Sequence, residues 1–335
     1  MSRDDIAPIP LPQPRGELSA AVLELLRTEP GRGGALPAVG DADPYGDDLQ
    51  LALHTCYELH YHGMDSVDPE WEWDPDLLRL RAAMEQPFLA ALRRDVPGGA
   101  DIEDELAQLL VEPAEPTGVS QYLRENGEWW QLCEYFVQRS IYHHKEADPY
   151  AWAIPRLRGQ AKASLVAVEF DEFGGGRGER VHAQLYADLL AGARLDPGYL
   201  HYLDAVPAPM LAIVNMMSLF GLHRVRRGAL VGHFATVEIT SPPGARRMVE
   251  ALERFDADPA CLLFYTEHVE ADAVHEQVMR RDVIGNLLAR EPELTESVVF
   301  GIQVTDLLED RFAQHVLDSW RAGRSSLREE IAAAV

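Results

Sequence analysis

The sequence predicts an all-α protein, a helical bundle preceded by an α-helical N-terminal extension. Three observations predict it. Apolar residues recur at helical spacing through most of the chain from Val119 onward. No run of alternating β-branched residues long enough for a strand interrupts them. Prolines and glycines cut the pattern into helix-length pieces, at Asp148-Pro149, Gly174–Gly176, Pro197, Pro207, Pro242-Pro243 and Pro259.

Taken in order, Met1–Gly16 is proline-rich (APIPLPQPRG) and reads as disordered. A short helix follows at about Leu18–Thr28, then a Gly/Pro linker or wrap over Glu29–Asp47, so residues 1–47 are expected to be largely irregular. Asp48–Gly63 is helical in pattern, with Leu51, Thr55 and Leu59 at i, i+4 and i+8. His54, Glu58 and His62 share roughly one side of it, but their span drifts off a single face, which favours surface or interface histidines over a metal site. Trp71 and Trp73 mark an aromatic connector read as packing. Asp76–Arg94 and Ile102–Val111 are amphipathic helices, closed off by Pro113 and Pro116. Residues 48–117 thus form the N-terminal extension and 118–335 the main domain. Its expected helices are 119–125, 127–146, 150–172, 177–192, 197–204, 208–222, 224–240, 243–255, 259–277, 280–290 and 293–321.

Composition narrows the function. The 335 residues, 47% of them hydrophobic, suffice for one large domain with an extension. A net charge of −25 leaves no basic excess to displace counterions from a nucleic acid, and it favours solubility. Cys56, Cys133 and Cys261 lie far apart without a Cys-x-x-Cys pair, as expected of reduced, partly buried thiols in a cytoplasmic protein. The N-terminus has no basic segment followed by an apolar one, so no signal peptide is expected. The most apolar run, Val206–Leu222, is interrupted by two prolines, Asn215 and Ser218 and is read as a buried helix, with no membrane association.

The chemistry centres on Phe264–Val278, FYTEHVEADAVHEQV. On a helix His268, Asp272 and His275 fall at i, i+4 and i+7 and stack along one face. Two imidazoles and a carboxylate on one stripe are a metal-ligand pattern suited to iron, manganese or zinc. Two upstream stretches offer partners. In Arg139–Ile154, Glu146 ends a helix, and the adjacent His143 and His144 point to different sides, which implies supporting or packing roles. In Glu169–His182, Glu172, Glu179 and His182 lie at i, i+7 and i+10, and Glu179-x-x-His182 is the carboxylate–imidazole pair used in di-iron bundles. Gly174–Gly176 inside this stretch permits a bulge or break. No strand precedes the glycines and no Gly-Lys-Ser/Thr follows, which argues against a phosphate loop.

Together these stretches resemble the haem-oxygenase-like di-metal oxidases and oxygenases, a family of iron-containing redox enzymes. The family pattern has a glutamate on the first core helix, Glu…Glu-x-x-His on the second and His-x-x-x-Asp-x-x-His on the third. The resemblance assigns these to Glu146, to Glu172, Glu179 and His182, and to His268, Asp272 and His275. It covers roughly Val119–Gly323, and more weakly Asp47–Asp95. It implies a haem-oxygenase-like bundle, two iron ions as cofactor and O2 as co-substrate, with a peroxo-bridged oxidant formed between the irons. Glu169 is a less favoured stand-in for Glu172.

By the same resemblance the substrate is a small amino acid or amine in natural-product biosynthesis, oxidised by desaturation, C–C cleavage or cyclisation, or alternatively N-oxygenated. Arg139 and Arg156, with Arg158, are possible carboxylate anchors. Tyr142, Trp152, Phe264 and Tyr265 are possible pocket walls, and His233, Glu238 and Thr240 possible inward polar groups. No reductase domain is visible, so electrons are expected from an external donor or the substrate. A homodimer is compatible with the N-terminal helices. The competing readings are a metal-binding helical protein without turnover and a purely structural one.

Overall fold

The computed structural model describes residues 9–31, 36–112 and 118–329, leaving out the side chains of 270–274. All regular structure among the described residues is helical. The elements are α1 (Glu17–Leu26), α2 (Asp47–Glu58), α3 (Pro75–Asp95), α4 (Ile102–Leu109), α5 (Val119–Asn126), α6 (Trp129–His143), α7 (Asp148–Ala151), α8 (Gly159–Glu172), α9 (His182–Gly192), α10 (Ala208–Leu222), α11 (Arg227–Glu253), α12 (Pro259–Gln277), α13 (Asn286–Arg290) and α14 (Thr295–Arg321). A π-helical segment, Val278–Gly285, joins α12 to α13.

The long helix α11 is the axis of the molecule, packed against α5, α12 and α14. Helix α9 lies on α12, the π segment on α8, and α10 between α2, α7 and α14. One apolar core runs from Val22 on α1 through Met210 and Phe220 on α10 to Trp320 on α14. The three cysteines are buried free thiols. No single helix among the described residues is long and apolar enough to cross a membrane, and α10 with its successor bends by 108°.

Several expected boundaries move, each for a local reason. Residues 1–8, 113–117 (with Pro113 and Pro116) and 330–335 lie outside the described residues. From Ile9 on, however, the expected disorder is absent: Ile9 is buried, and Arg15 donates to Asp47 and to the Leu203 carbonyl. The helix expected over 150–172 is broken by Pro155 and by Gly159 at φ 60°. The one expected over 197–204 is a series of turns, with Leu200 at φ 55°. Conversely, Pro242 and Pro243 do not end α11. They remove the amide donors for the Glu238 and Ile239 carbonyls, but packing on α12 and α14 holds the helix together across that point.

Helices α11 and α14 touch backbone to backbone. A Cβ on Gly301 would lie 2.0 Å from the Ala229 carbonyl oxygen, and one on Gly232 would lie 2.2 Å from that of Val298. Both glycines are therefore required by close approach rather than by dihedral freedom. Gly244, on the same helix α11, has nothing within 4 Å of such a Cβ. In urea unfolding, Gly301→Ala should lose about 1–3 kcal/mol by overpacking, whereas Gly244→Ala should be neutral or gain up to about 1 kcal/mol.

Candidate metal centre

The site begins where α6 stops. Beyond His143 the chain bends before α7, and two adjacent buried side chains leave that bend toward different partners. Lys145 Nζ lies 2.6 Å from Glu58 Oε2 on α2. Glu146 instead faces histidines: Oε2 is hydrogen-bonded to His143, and Oε1 lies 3.5 Å from His182 Nδ1 and 3.6 Å from His268 Nε2.

Glu172 is the last residue of α8. After it the chain turns through Gly174, Gly175 and Gly176, all at positive φ, and short 3-10 turns before α9 starts at His182. A Cβ on Gly174 would come within 2.6 Å of the Arg180 carbonyl carbon. The tight reversal sets His182 Nδ1 2.8 Å from Glu172 Oε2. It also overturns the expected helix over 177–192. Glu179 and His182 do not share a helical face, and Glu179 is exposed on a turn and joins neither donor group below.

Two triads result, in each of which one donor atom per residue lies within 4.8 Å of the others: Glu146, His182 and His268, and Glu172, Glu238 and His275. The short contact between Glu172 and His182 links them. His275 Nδ1 is 2.9 Å from Glu238 Oε2, and its Nε2 is 3.0 Å from Asp171 Oδ2 at the surface. His268 Nδ1 lies 2.7 Å from the Phe264 carbonyl, where only an N–H can satisfy it. That tautomer leaves the Nε2 lone pair facing Glu146. Asp272 belongs to α12, but its side chain lies outside the described residues.

The donor set fits a metal by its orphaned atoms. Glu146 Oε1 is buried without a hydrogen bond, with His182 Nδ1 3.5 Å away, although that nitrogen also lies 2.8 Å from Glu172 Oε2. Both oxygens of Glu169, one turn before Glu172 on α8, are likewise buried and unpartnered. Carboxylate oxygens and imidazole nitrogens converging in a buried site are an arrangement a cation satisfies, and mixed donors of this kind suit iron, manganese or zinc.

The electrostatics agree. Burial opposes ionisation of Glu146, yet His143 and the other imidazoles hold its carboxyl well below the usual range. Burial likewise opposes protonation of His182, but Glu172 and Glu146 raise the imidazole to about 11. Burial, then Glu172 and Glu238, push Glu169 up to about 9.

A cavity of about 470 Å³ opens on Glu146, Glu172 and His182, between walls that include His144, Asp148 and Tyr199. A second, about 430 Å³, reaches His143 and His268 between Tyr135, Arg139, Tyr142, Phe264 and Tyr265. Arg139 there is held bidentately by Glu309 (2.9 Å from Nη1 to Oε1) and stacks 4.6 Å over Phe312. Tyr142 lines the same cavity. Arg156 does not approach either one: it donates to the carbonyls of Gly221 and Leu222 at the end of α10. His233 joins a buried relay, 3.0 Å from the Tyr150 hydroxyl and 2.9 Å from Thr305 Oγ1. The His54, Glu58 and His62 set forms no donor cluster, since Glu58 pairs with Lys145 and His62 packs on Tyr199.

Glu238, expected as a substrate contact, thus belongs with the metal-facing groups, and Glu169 stands beside them. The available signals were an acid on the apolar stretch GHFATVEIT and the i, i+3 spacing of Glu169 and Glu172.

Glu169 yields a pH prediction. Its folded-state pKa lies above the unfolded one, so the stability linked to it is full below about pH 4.5 and is lost as pH rises toward about 9. In chelator-treated protein, urea unfolding from pH 5 to 9 should show this decline. Glu169→Gln should flatten it and gain about 3 kcal/mol at pH 7. An unchanged slope in the variant would remove Glu169 from the account.

A family model described as iron-containing redox enzyme matches residues 133–310 of the chain. No curated protein matches it.

Proposed function

The chain belongs to the family of iron-containing redox enzymes, whose fold is a haem-oxygenase-like all-α bundle, and on that premise we propose that it is a non-haem di-iron oxidase or oxygenase that uses O2 to oxidise a small amine-bearing or amino-acid substrate. The observation carrying this reading is the pair of donor triads linked through Glu172. Glu146, His182 and His268 would hold one ion, Glu238 and His275 the other, and Glu172 lies where it can serve both. Asp272, one turn beyond His268, remains in the proposed set by its spacing. Four carboxylates offset the charge of two divalent ions, and the imidazoles select against magnesium and calcium. Iron held by these residues would supply electrons to O2 and so the oxidising power for an unactivated bond.

The remaining work falls to the chain's own residues. His143 holds Glu146 from behind, and the Phe264 carbonyl sets the orientation of His268. Phe264, Tyr186 and His143 pack ring against ring around the first triad and limit water there. The cavity beside His268 suits a protonated amine. Asp306, Glu309 and Asp310 line it against Arg139 and Arg247, and tyrosine rings face it. Arg139, already committed to Glu309, positions that carboxylate rather than offering a free anchor. Direct oxidation without oxygen insertion is favoured over N-oxygenation, with electrons from the substrate or an external donor.

The test is anaerobic Fe(II) titration of the chelated chain, followed by an oxygen pulse in the presence of amino acids and small amines. Two irons per chain and O2 consumption that depends on one substrate are expected. Iron binding without substrate-dependent O2 uptake would make it a metal-binding protein instead. Glu238→Gln should reduce the stoichiometry toward one, while Glu179→Gln should leave it at two; the reverse pattern would restore the helical-face assignment of Glu179.

A further inference from the structure

At the opposite end of α8 from Glu172 lies a cavity of about 500 Å³, lined by Arg156, Arg158, Arg224, Arg227 and Arg290 together with Glu291. The chain has 55 acidic against 30 basic residues, so five guanidinium groups around one concavity run against its composition. Two of them are engaged. Arg156 closes the end of α10, and Arg227 pairs with Glu291. Arg158, Arg224 and Arg290 are solvent-exposed, and their guanidinium groups have no ion pair or hydrogen bond among the described residues.

The backbone compounds the excess of positive charge. Arg158 is the N-cap of α8, which carries no side-chain cap at its N-terminus, whereas α11 continues from a 3-10 turn whose Arg224 carbonyl accepts from the Arg227 amide. The Arg290 guanidinium sits directly over the first residue of α8, where a Cβ on Gly159 would lie 2.7 Å from Nη1. Gly159, at φ 60°, permits both that approach and the turn into the helix. A cation against the positive end of a helix dipole is unfavourable, and the amide donors there are oriented for an anion. An anion between the guanidinium groups would relieve both.

We propose that this cavity binds a phosphate-bearing small molecule, held by Arg158, Arg224 and Arg290 and by the amide end of α8. A guanidinium fork engages two oxygens at once, so three free forks match a di- or oligophosphate, whereas a monocarboxylate could occupy only one. The volume is that of a small-molecule pocket. It is a separate site from the donor triads: α8 has 14 residues and separates the two by about 20 Å. Helices α8 and α11, which begin at this cavity, carry Glu172 and Glu238. An anion there therefore braces the frame of the second triad from its far end.

The test is calorimetric titration of the full chain with pyrophosphate, with inorganic phosphate and acetate as comparators, alongside thermal unfolding. Pyrophosphate is expected to bind, to raise Tm and to weaken with added salt; phosphate should bind less tightly and acetate not at all. Arg224→Glu and Arg290→Glu should each weaken pyrophosphate binding by about tenfold or more with an unchanged circular dichroism spectrum. Arg321→Glu, on the exposed end of α14, should not. Absence of pyrophosphate binding would overturn the proposal. So would a response that survives both substitutions, since it would then arise at the metal centre. Binding of a poly-glutamate peptide in place of pyrophosphate would overturn the small-molecule assignment.

Discussion

The carboxylate of Glu172 stands between two groups of donors, with His182 on one side and Glu238 and His275 on the other. Glu146, Glu169, Glu172 and Glu238 are all at least nine-tenths buried, in one region of the fold. Removing an ionised carboxylate from water costs several kcal/mol unless a cation and hydrogen bonds offset it. Nearby cationic side chains do not supply the offset: Lys145 belongs to Glu58, and Arg139 to Glu309. Protons are what the chain itself can provide, one on His182 and one on Glu169, both titrating far above their ordinary ranges. A divalent ion held by the same groups would have to displace those protons. Metal loading at this site would therefore be coupled to proton release by charge balance.

Several irregularities of the bundle fall beside these donors. Helix α8 stops at Glu172 because three successive glycines take left-handed conformations, and α9 restarts with His182 as its first residue. Helix α12 passes into a π-helical segment three residues after His275. Pro242, one turn after Glu238 on α11, takes away the amide that would bond the Glu238 carbonyl. Each departure lowers the regularity of one helix within a turn of a donor side chain. That cost is tolerated because α11 is clasped on several sides by its neighbours. Backbone irregularity near donors is what re-aims side chains that ideal helices would send elsewhere.

This geometry also explains what could be read in advance. His268 and His275 lie on one uninterrupted helix, so a spacing of seven residues was enough to place them on one face. Glu146 and Glu172 could be associated with them only through the resemblance to the family pattern, since a glutamate near a helix end is by itself most often solvated. Glu179 could not be placed by spacing, since helical periodicity does not carry across residues at positive φ. Glu238 and Glu169 carry no motif. Both are candidate residues in the sequence, but their place beside the donor groups emerges only in the fold, because a tertiary contact has no period in the sequence. The Pro242-Pro243 pair misled in the opposite sense: a local breaker was overridden by packing that only the fold supplies.

The N-terminal segment belongs to the same argument. Lys145 and Glu146 are consecutive, buried and oppositely charged, yet they do not pair with each other. Lys145 reaches Glu58 on α2, whose other oxygen accepts from the Tyr199 hydroxyl at 2.8 Å, while the Lys145 ammonium also lies 4.6 Å from the Tyr61 ring. With its charge held from the far side, the bend after α6 cannot let Lys145 fold back to neutralise Glu146. An intact buried pair contributes little to net stability, but loss of either partner strands the other charge. The Glu58–Lys145 pair therefore acts on the orientation of the bend. It is the physical route by which residues far upstream of the donor helices keep Glu146 available to His182 and His268.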